Sequence, residues 1–289
     1  MKNTIPKTAA IHGITGFGRS SISVVIPVLS AMGIQVCPLP SAVLSSHPGG
    51  FENYTFYELT NEMEHAIDCW KKENIKFDCI YSGFLGSAKQ IELIRKLIEN
   101  NDSKLTVIDP VMGDHGKLYK ITDEDMIDGM HSLIEKAYVI TPNLTEACLL
   151  AGTDYIDKPL SLQEVKHLLK KLSDSGPANV VITGIRLSDG SYGNFGYSKE
   201  NDSYWKVSYN HIPAQYPGTG DIFASALTGY ILKGFDLPQA VSGASRFVSI
   251  AVEKTHLAKT PVREGILLEN MLFELNNENH IGRGEMIDE

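Results

Sequence analysis

Apolar residues along this chain fall into two rhythms. Short unbroken runs at 8–11, 35–39, 77–81, 105–108, 138–140 and 179–183 read as buried strands. Longer stretches between them carry apolar residues at helical spacing. The clearest spans 59–72, with Leu59, Met63, Ala66, Ile67 and Trp70 on one face. Helices are also predicted over 20–32, 91–98, after Thr122, and from Asn143 to Leu150. Strands alternating with helices predict an α/β fold, with a central, mostly parallel sheet and helices on both faces.

After Thr183 the rhythm changes. The runs 193–197 and 204–209 flank a polar turn at 199–203, which predicts an antiparallel edge. Helix starts carry ordinary capping chemistry. Asp123, Glu124 and Asp125 follow Thr122; Asn143 with Glu146 and Ser161 with Glu164 have capping-box spacing. Asp236 is the expected cap of a helix running to about 253. The tail 276–289 is polar and expected to be mobile. No repeat or linker divides the chain, so 1–289 is expected to form one domain with an ordered core of about 8–275.

Glycine and polar residues cluster where strands end: 13–18, 82–86 and 109–114. In parallel sheets, ligands sit at those carboxyl ends. The stretch 41–50 is polar and turn-rich, and reads as a surface loop able to cover a cleft.

Composition narrows the function. The chain has 289 residues, 43% of them hydrophobic, and a formal net charge of −9. That is ample for a sizeable core. The negative balance argues against nucleic acid and anionic membranes as partners. Cys37, Cys69, Cys79 and Cys148 are scattered, with neither disulfide nor zinc spacing. No signal-peptide segment or membrane-length apolar run occurs, so a soluble cytoplasmic protein is expected.

The candidate chemistry lies at Gly218-Thr219-Gly220-Asp221, followed at once by a small-residue apolar run. Glycines at a helix start let the backbone approach a ligand, and unpaired N–H groups there suit an anion, phosphate above all. A carboxylate beside that anion site makes sense as the base for a hydroxyl that attacks the phosphate. Capping by Asp221 is the plainer alternative. Asp109 and Asp114, in one strand-end loop, could hold Mg2+ through water, with Glu146 near it from another strand end. The absence of G-x-x-x-x-G-K-[ST] excludes a P-loop enzyme, and that of H-R-D and D-F-G a protein kinase.

Five segments in order resemble the ribokinase-like superfamily, and within it the pyridoxal/pyridoxamine kinases. They are the first-strand glycine turn, Ser82-Gly83-Phe84-Leu85-Gly86-Ser87, Asp109-Pro110-Val111-Met112-Gly113-Asp114, Thr141-Pro142-Asn143-Leu144-Thr145-Glu146 and the G-T-G-D loop. The resemblance spans about 8–254. It implies an ATP-dependent kinase acting on the 5′-hydroxymethyl group of a B6 vitamer, or on the related pyrimidine alcohol. Asp221 would be the base, and Gly218, Thr219 and Gly220 would hold the moving phosphoryl group. Asp114 and Glu146 would organise Mg2+, with Asp109 near the phosphates. Thr141, Asn143 and Thr183 would line the nucleotide side under a flap at Tyr119. His12, Val43, His47 and Phe84 would surround the pyridine ring. The resemblance also suggests a homodimer and activation by K+. Pro48 and Phe84 stand where many relatives have Thr and Tyr.

Overall fold

The computed structural model describes residues 5–103 and 105–287. Twelve strands and eight α-helices are formed by these residues. In order they are β1 (Lys7–Phe17), α1 (Ile22–Ala31), β2 (Gln35–Ser46), β3 (Phe56–Glu58), α2 (Thr60–Lys72), β4 (Cys79–Ser82), α3 (Ala88–Glu99), β5 (Leu105–Ile108), β6 (Gly113–Asp114), β7 (Lys117–Leu118), α4 (Glu124–Ile134), β8 (Val139–Ile140), α5 (Leu144–Leu150), α6 (Leu162–Asp174), β9 (Asn179–Arg186), β10 (Tyr192–Ser198), β11 (Ser203–Tyr209), α7 (Thr219–Leu232), α8 (Leu237–Ala258) and β12 (Glu285–Met286).

Ten strands form one sheet in the order β12-β11-β10-β9-β8-β5-β4-β1-β2-β3; β6 and β7 pair separately. From β2 to β9 every pairing is parallel. β3 at one end and β10, β11 and β12 at the other run antiparallel. The expected α/β architecture, with its antiparallel edge, is therefore present. The central runs Ala9–Ile11, Cys79–Ser82 and Leu105–Ile108 are fully or nearly buried, because helices cover both faces. Met63, Ile94, Leu133, Cys148 and Leu168 of α2 to α6 pack on one face. Val25, Leu29, Phe223, Leu227 and Phe247 of α1, α7 and α8 pack on the other.

Three expectations are corrected. The segment 13–18 is not a turn: β1 continues to Phe17, with a bulge between His12 and Ile14. Its glycines admit β2 instead; a Cβ on Gly16 would stand 2.9 Å from the carbonyl oxygen of Ser45. The stretch 41–50 is largely strand, since β2 runs to Ser46 and pairs with β3. Only the part after Ser46 is a loop. The tail is anchored, because Glu285 and Met286 pair with Lys206 and Trp205. Its last two residues lie outside the described ones. The predicted capping boxes at Asn143/Glu146 and Ser161/Glu164 form, as does the Asp236 cap. Among the described residues, no helix is long and apolar enough to cross a membrane.

Candidate active site

The sheet brings the ends of β1, β4, β5 and β8 to one place, and α7 points its first turn at them. Gly218 caps α7 in the left-handed region, at φ 84°. A Cβ there would meet the Arg19 carbonyl oxygen at 2.2 Å, so only glycine fits both the angle and the space. Ile222 donates its amide to the Gly218 carbonyl. The amides of Thr219, Gly220 and Asp221 precede that first helical bond, and no acceptor among the described residues takes them. The Thr219 hydroxyl donates to the Tyr216 carbonyl at 3.2 Å. Gly220 opens the turn toward Asp109: an added Cβ would lie 3.8 Å from its Oδ2.

Asp221 reaches back toward α1. Its Oδ2 accepts the Ser21 amide at 2.8 Å, and its Oδ1 stands 3.8 Å from Nδ1 of His12. Burial raises its carboxyl to a pKa of about 6, against the opposing pull of the Ser21 amide. Asp109 follows β5 and is 7% exposed. Its amide donates to the Ser82 carbonyl, and its Oδ1 accepts the Thr141 hydroxyl at 3.2 Å. Burial, then the charge of Asp221, pushes its carboxyl well above the usual range. Two carboxylates thus lie at the first turn of α7, Asp221 within it and Asp109 beside Gly220.

The expected nucleotide-side residues form one connected edge. Asn143 caps α5: its Oδ1 accepts the Glu146 amide, and its Nδ2 donates to the Gly113 carbonyl at 2.8 Å. Glu146 is buried, and its two oxygens accept the amides of Met112 and Asn143. Burial, then Asp109, raises its carboxyl. Thr183 bridges to Asn143 and donates its amide to the Pro142 carbonyl. Asp114 lies on the β6–β7 hairpin with its side chain half exposed, and accepts the His115 amide. Tyr119, just past β7, feels Glu146, Asp114, Asp109 and Asp221, which add to the effect of burial in raising its hydroxyl. The hairpin is tied to α5, where the Gly113 carbonyl accepts from Asn143 and the Gly116 amide donates to the Thr145 hydroxyl.

On the other side, Phe84 packs edge-on to Phe56, and its carbonyl accepts the Ser41 hydroxyl at 2.7 Å. Gly13 lies against its ring; a Cβ there would come within 3.3 Å. His47 is buried, with Nε2 2.8 Å from the Arg263 carbonyl and its ring against Phe51. Val43 is 37% exposed on β2. His12 is different: it is wholly buried behind Asp221, because the bulge in β1 turns it under Gly83. It backs Asp221 and has no exposed surface with which to line an opening.

Several contributors carry no sequence signal. Ser21 anchors Asp221 from 200 residues away. The Tyr81 hydroxyl lies 3.5 Å from the Asp221 carbonyl, with Ser225 beside it. Gln90 is fully buried, accepts the Gly86 amide and donates to the Ser41 carbonyl, bracing the segment that holds Phe84.

Residues 54–264 match the family model described as phosphomethylpyrimidine kinase. A provisionally assigned phosphomethylpyrimidine kinase from Bacteroides thetaiotaomicron, crystallised with pyridoxal, is 42% identical. It superposes with a TM-score of 0.93 over 98% of this chain and 100% of that one. Pyridoxal kinase from Lactobacillus plantarum is 29% identical, with a TM-score of 0.88 over 96% and 100% of the two chains. The hydroxymethylpyrimidine/phosphomethylpyrimidine kinase of Bacillus subtilis is 29% identical over 87% of this chain and 91% of its own. The glycine-capped start of α7, the two carboxylates beside it and the ten-stranded sheet therefore sit in a kinase of the phosphomethylpyrimidine kinase family, the ribokinase-like group to which the pyridoxal kinases belong.

Proposed function

We propose that this kinase transfers the γ-phosphoryl group of ATP to the 5′-hydroxymethyl group of a B6 vitamer: pyridoxal, pyridoxamine or pyridoxine. One observation carries the chemistry. Asp221, a mostly shielded carboxylate with one oxygen committed to Ser21, stands in the same helical turn as three amides without acceptors among the described residues. Its Oδ1 accepts the proton of the alcohol; the alcohol oxygen attacks the γ-phosphorus as the bond to ADP breaks. The amides of Thr219, Gly220 and Asp221 face the charge on the phosphoryl oxygens. In a loose transition state, such positioning and neutralisation contribute more than base strength.

Mg2+ fits the acidic edge. Asp109 and Glu146 are both held above the usual carboxylate range by burial and neighbouring charge, which a cation would relieve. Glu146 already accepts two backbone amides, so it suits contact through water, and half-exposed Asp114 is the more open of the pair. Mg2+ held there would supply charge neutralisation. Thr141, Asn143 and Thr183 line the nucleotide side of this reading, with Tyr119 above it. Val43, His47 and Phe84 form the ring side.

The choice of a B6 vitamer draws support from the 42%-identical Bacteroides protein solved with pyridoxal. The second reading, 4-amino-5-hydroxymethyl-2-methylpyrimidine as acceptor, draws on the Bacillus subtilis relative. Both alcohols ask for the same base and anion site. An ADP-release assay with each of the four alcohols separates them. Turnover of the pyrimidine with none of any B6 vitamer would overturn the first reading. No turnover of any of them would overturn both.

A further inference from the structure

His12 is an odd residue for its place. It has no exposed surface, and neither ring nitrogen has a hydrogen-bond partner among the described residues. Buried polar atoms are nearly always satisfied, so an orphaned imidazole beside a reactive carboxylate calls for a reason. Its surroundings are specific. Tyr81 of β4 meets the ring edge-on at a centroid distance of 4.5 Å. Gly83 makes room for it; a Cβ there would stand 2.4 Å from Cε1. On the β2 side it pairs with Pro40, which has no charge. The carboxylate facing it is Asp221, whose Oδ1 lies 3.8 Å from Nδ1, and Asp221 in turn acts electrostatically on Asp109.

We propose that His12 is a positioning residue for Asp221: a neutral imidazole, with its proton on Nδ1, that holds Oδ1 in place and favours its ionised form. This rests on the reading of Asp221 as the base. The tautomer follows from the surroundings, because Nδ1 alone faces an acceptor. Neutrality follows from burial, which drives the imidazole down to a pKa of about 3. A charged imidazole there would pair with Asp221 and blunt it as a base. A neutral donor gives direction without quenching the carboxylate. The 3.8 Å gap is longer than a formed hydrogen bond and leaves Oδ1 free for the proton of the alcohol.

Two measurements test this. The first uses the unsubstituted protein. Its 15N imidazole shifts should show a protonated Nδ1 and a bare Nε2 for His12 from pH 5 to 8. A bare Nδ1, or a doubly protonated ring, overturns the proposal whatever the enzyme turns over. The second compares H12F and H12L with H12Q. The apolar variants should lower kcat on the order of tenfold with KM nearly unchanged, and should move the acid limb of kcat/KM upward by about one pH unit. H12Q, which keeps a donor, should recover part of both. Equal losses in all three with an unmoved acid limb would mean that His12 only fills space. Wild-type protein inert toward all four alcohols would instead refute the kinase reading and leave the shift measurement standing.

Discussion

The carboxylate of Asp221 accepts the backbone amide of Ser21 at 2.8 Å, which ties the first turn of α7 to the start of α1. The two residues are 200 positions apart. Ser21 adopts a positive φ of 52°, a conformation costly for a residue with a side chain, and the bond to Asp221 helps to hold it there. One oxygen of Asp221 is thus structural, and the proposed reaction uses the other. Substitution can separate them. D221N keeps an acceptor for Ser21 but cannot take a proton; D221A loses both. Each should lower kcat by about 10²- to 10⁴-fold, with nucleotide affinity little altered. D221A should also melt at a lower temperature than D221N. Wild-type turnover in D221N would refute Asp221 as the base.

Gly218 tests the anion site. G218A would place a methyl group 2.2 Å from the Arg19 carbonyl oxygen, at a φ of 84°. Neither partner is a flexible side chain, so the loop must move. The left-handed angle alone costs about 1–2 kcal/mol in a non-glycine residue. The first turn of α7 should shift, and with it the amides of Thr219 and Gly220. We expect G218A to lose at least about 10²-fold in kcat/KM and to melt several degrees lower. Thr219 makes a separate contact, its hydroxyl on the Tyr216 carbonyl, so T219V should cost far less. Near-normal activity in G218A would remove this loop from the phosphoryl site.

The sequence revealed what is set locally. Strands and helices alternate because buried apolar runs and amphipathic runs have different periods. Asn143 with Glu146 and Ser161 with Glu164 lie three residues apart, so their boxes could be read off the chain. The G-T-G-D loop was visible for the same reason. What stayed hidden depends on distant partners. Residues 41–46 are polar enough to read as loop, yet they pair with β1 and β3. Glycines 13 and 16 look like turn signals, but they serve close strand approach. Glu285 and Met286 gain order only from β11. The contacts of Ser21 and Tyr81 with Asp221 could not be inferred from spacing, since α7 arrives from far along the chain, and the burial of His12 depends as much on Gly83 and Tyr81 beside β1.

The pH profile should carry the mark of Asp221. Burial raises its carboxyl to a pKa of about 6, so in the proposed role it accepts a proton only above that value. The kcat/KM of the free enzyme should be level near neutral pH and fall about tenfold per unit below a midpoint near 6. An unperturbed aspartate would hold activity down to about pH 4. A measured acid limb at or below pH 4.5 would show that Asp221 is better solvated, or more strongly hydrogen-bonded, than its surroundings imply.

Asp109 should show the opposite balance between stability and activity. Its carboxyl, like that of Asp221, binds its proton more tightly in the folded chain than in the unfolded one. Each therefore costs no stability below the unfolded value near pH 4. The cost grows as pH rises and is complete once the folded value has been passed. At pH 7.5 both carboxylates are largely charged, little exposed and close enough for the charge of Asp221 to act on Asp109. D109N removes one of those charges and keeps an acceptor for the Thr141 hydroxyl. We expect it to stabilise the ligand-free protein by about 1–3 kcal/mol at pH 7.5, seen as a higher Tm, and to make little difference at pH 4.5. The same change should weaken Mg2+-dependent turnover, because the repulsion relieved by the amide is the repulsion a cation would relieve during the reaction. A D109N protein that melts lower than wild type at pH 7.5 would mean that the carboxylate pair is held by contacts stronger than its own repulsion.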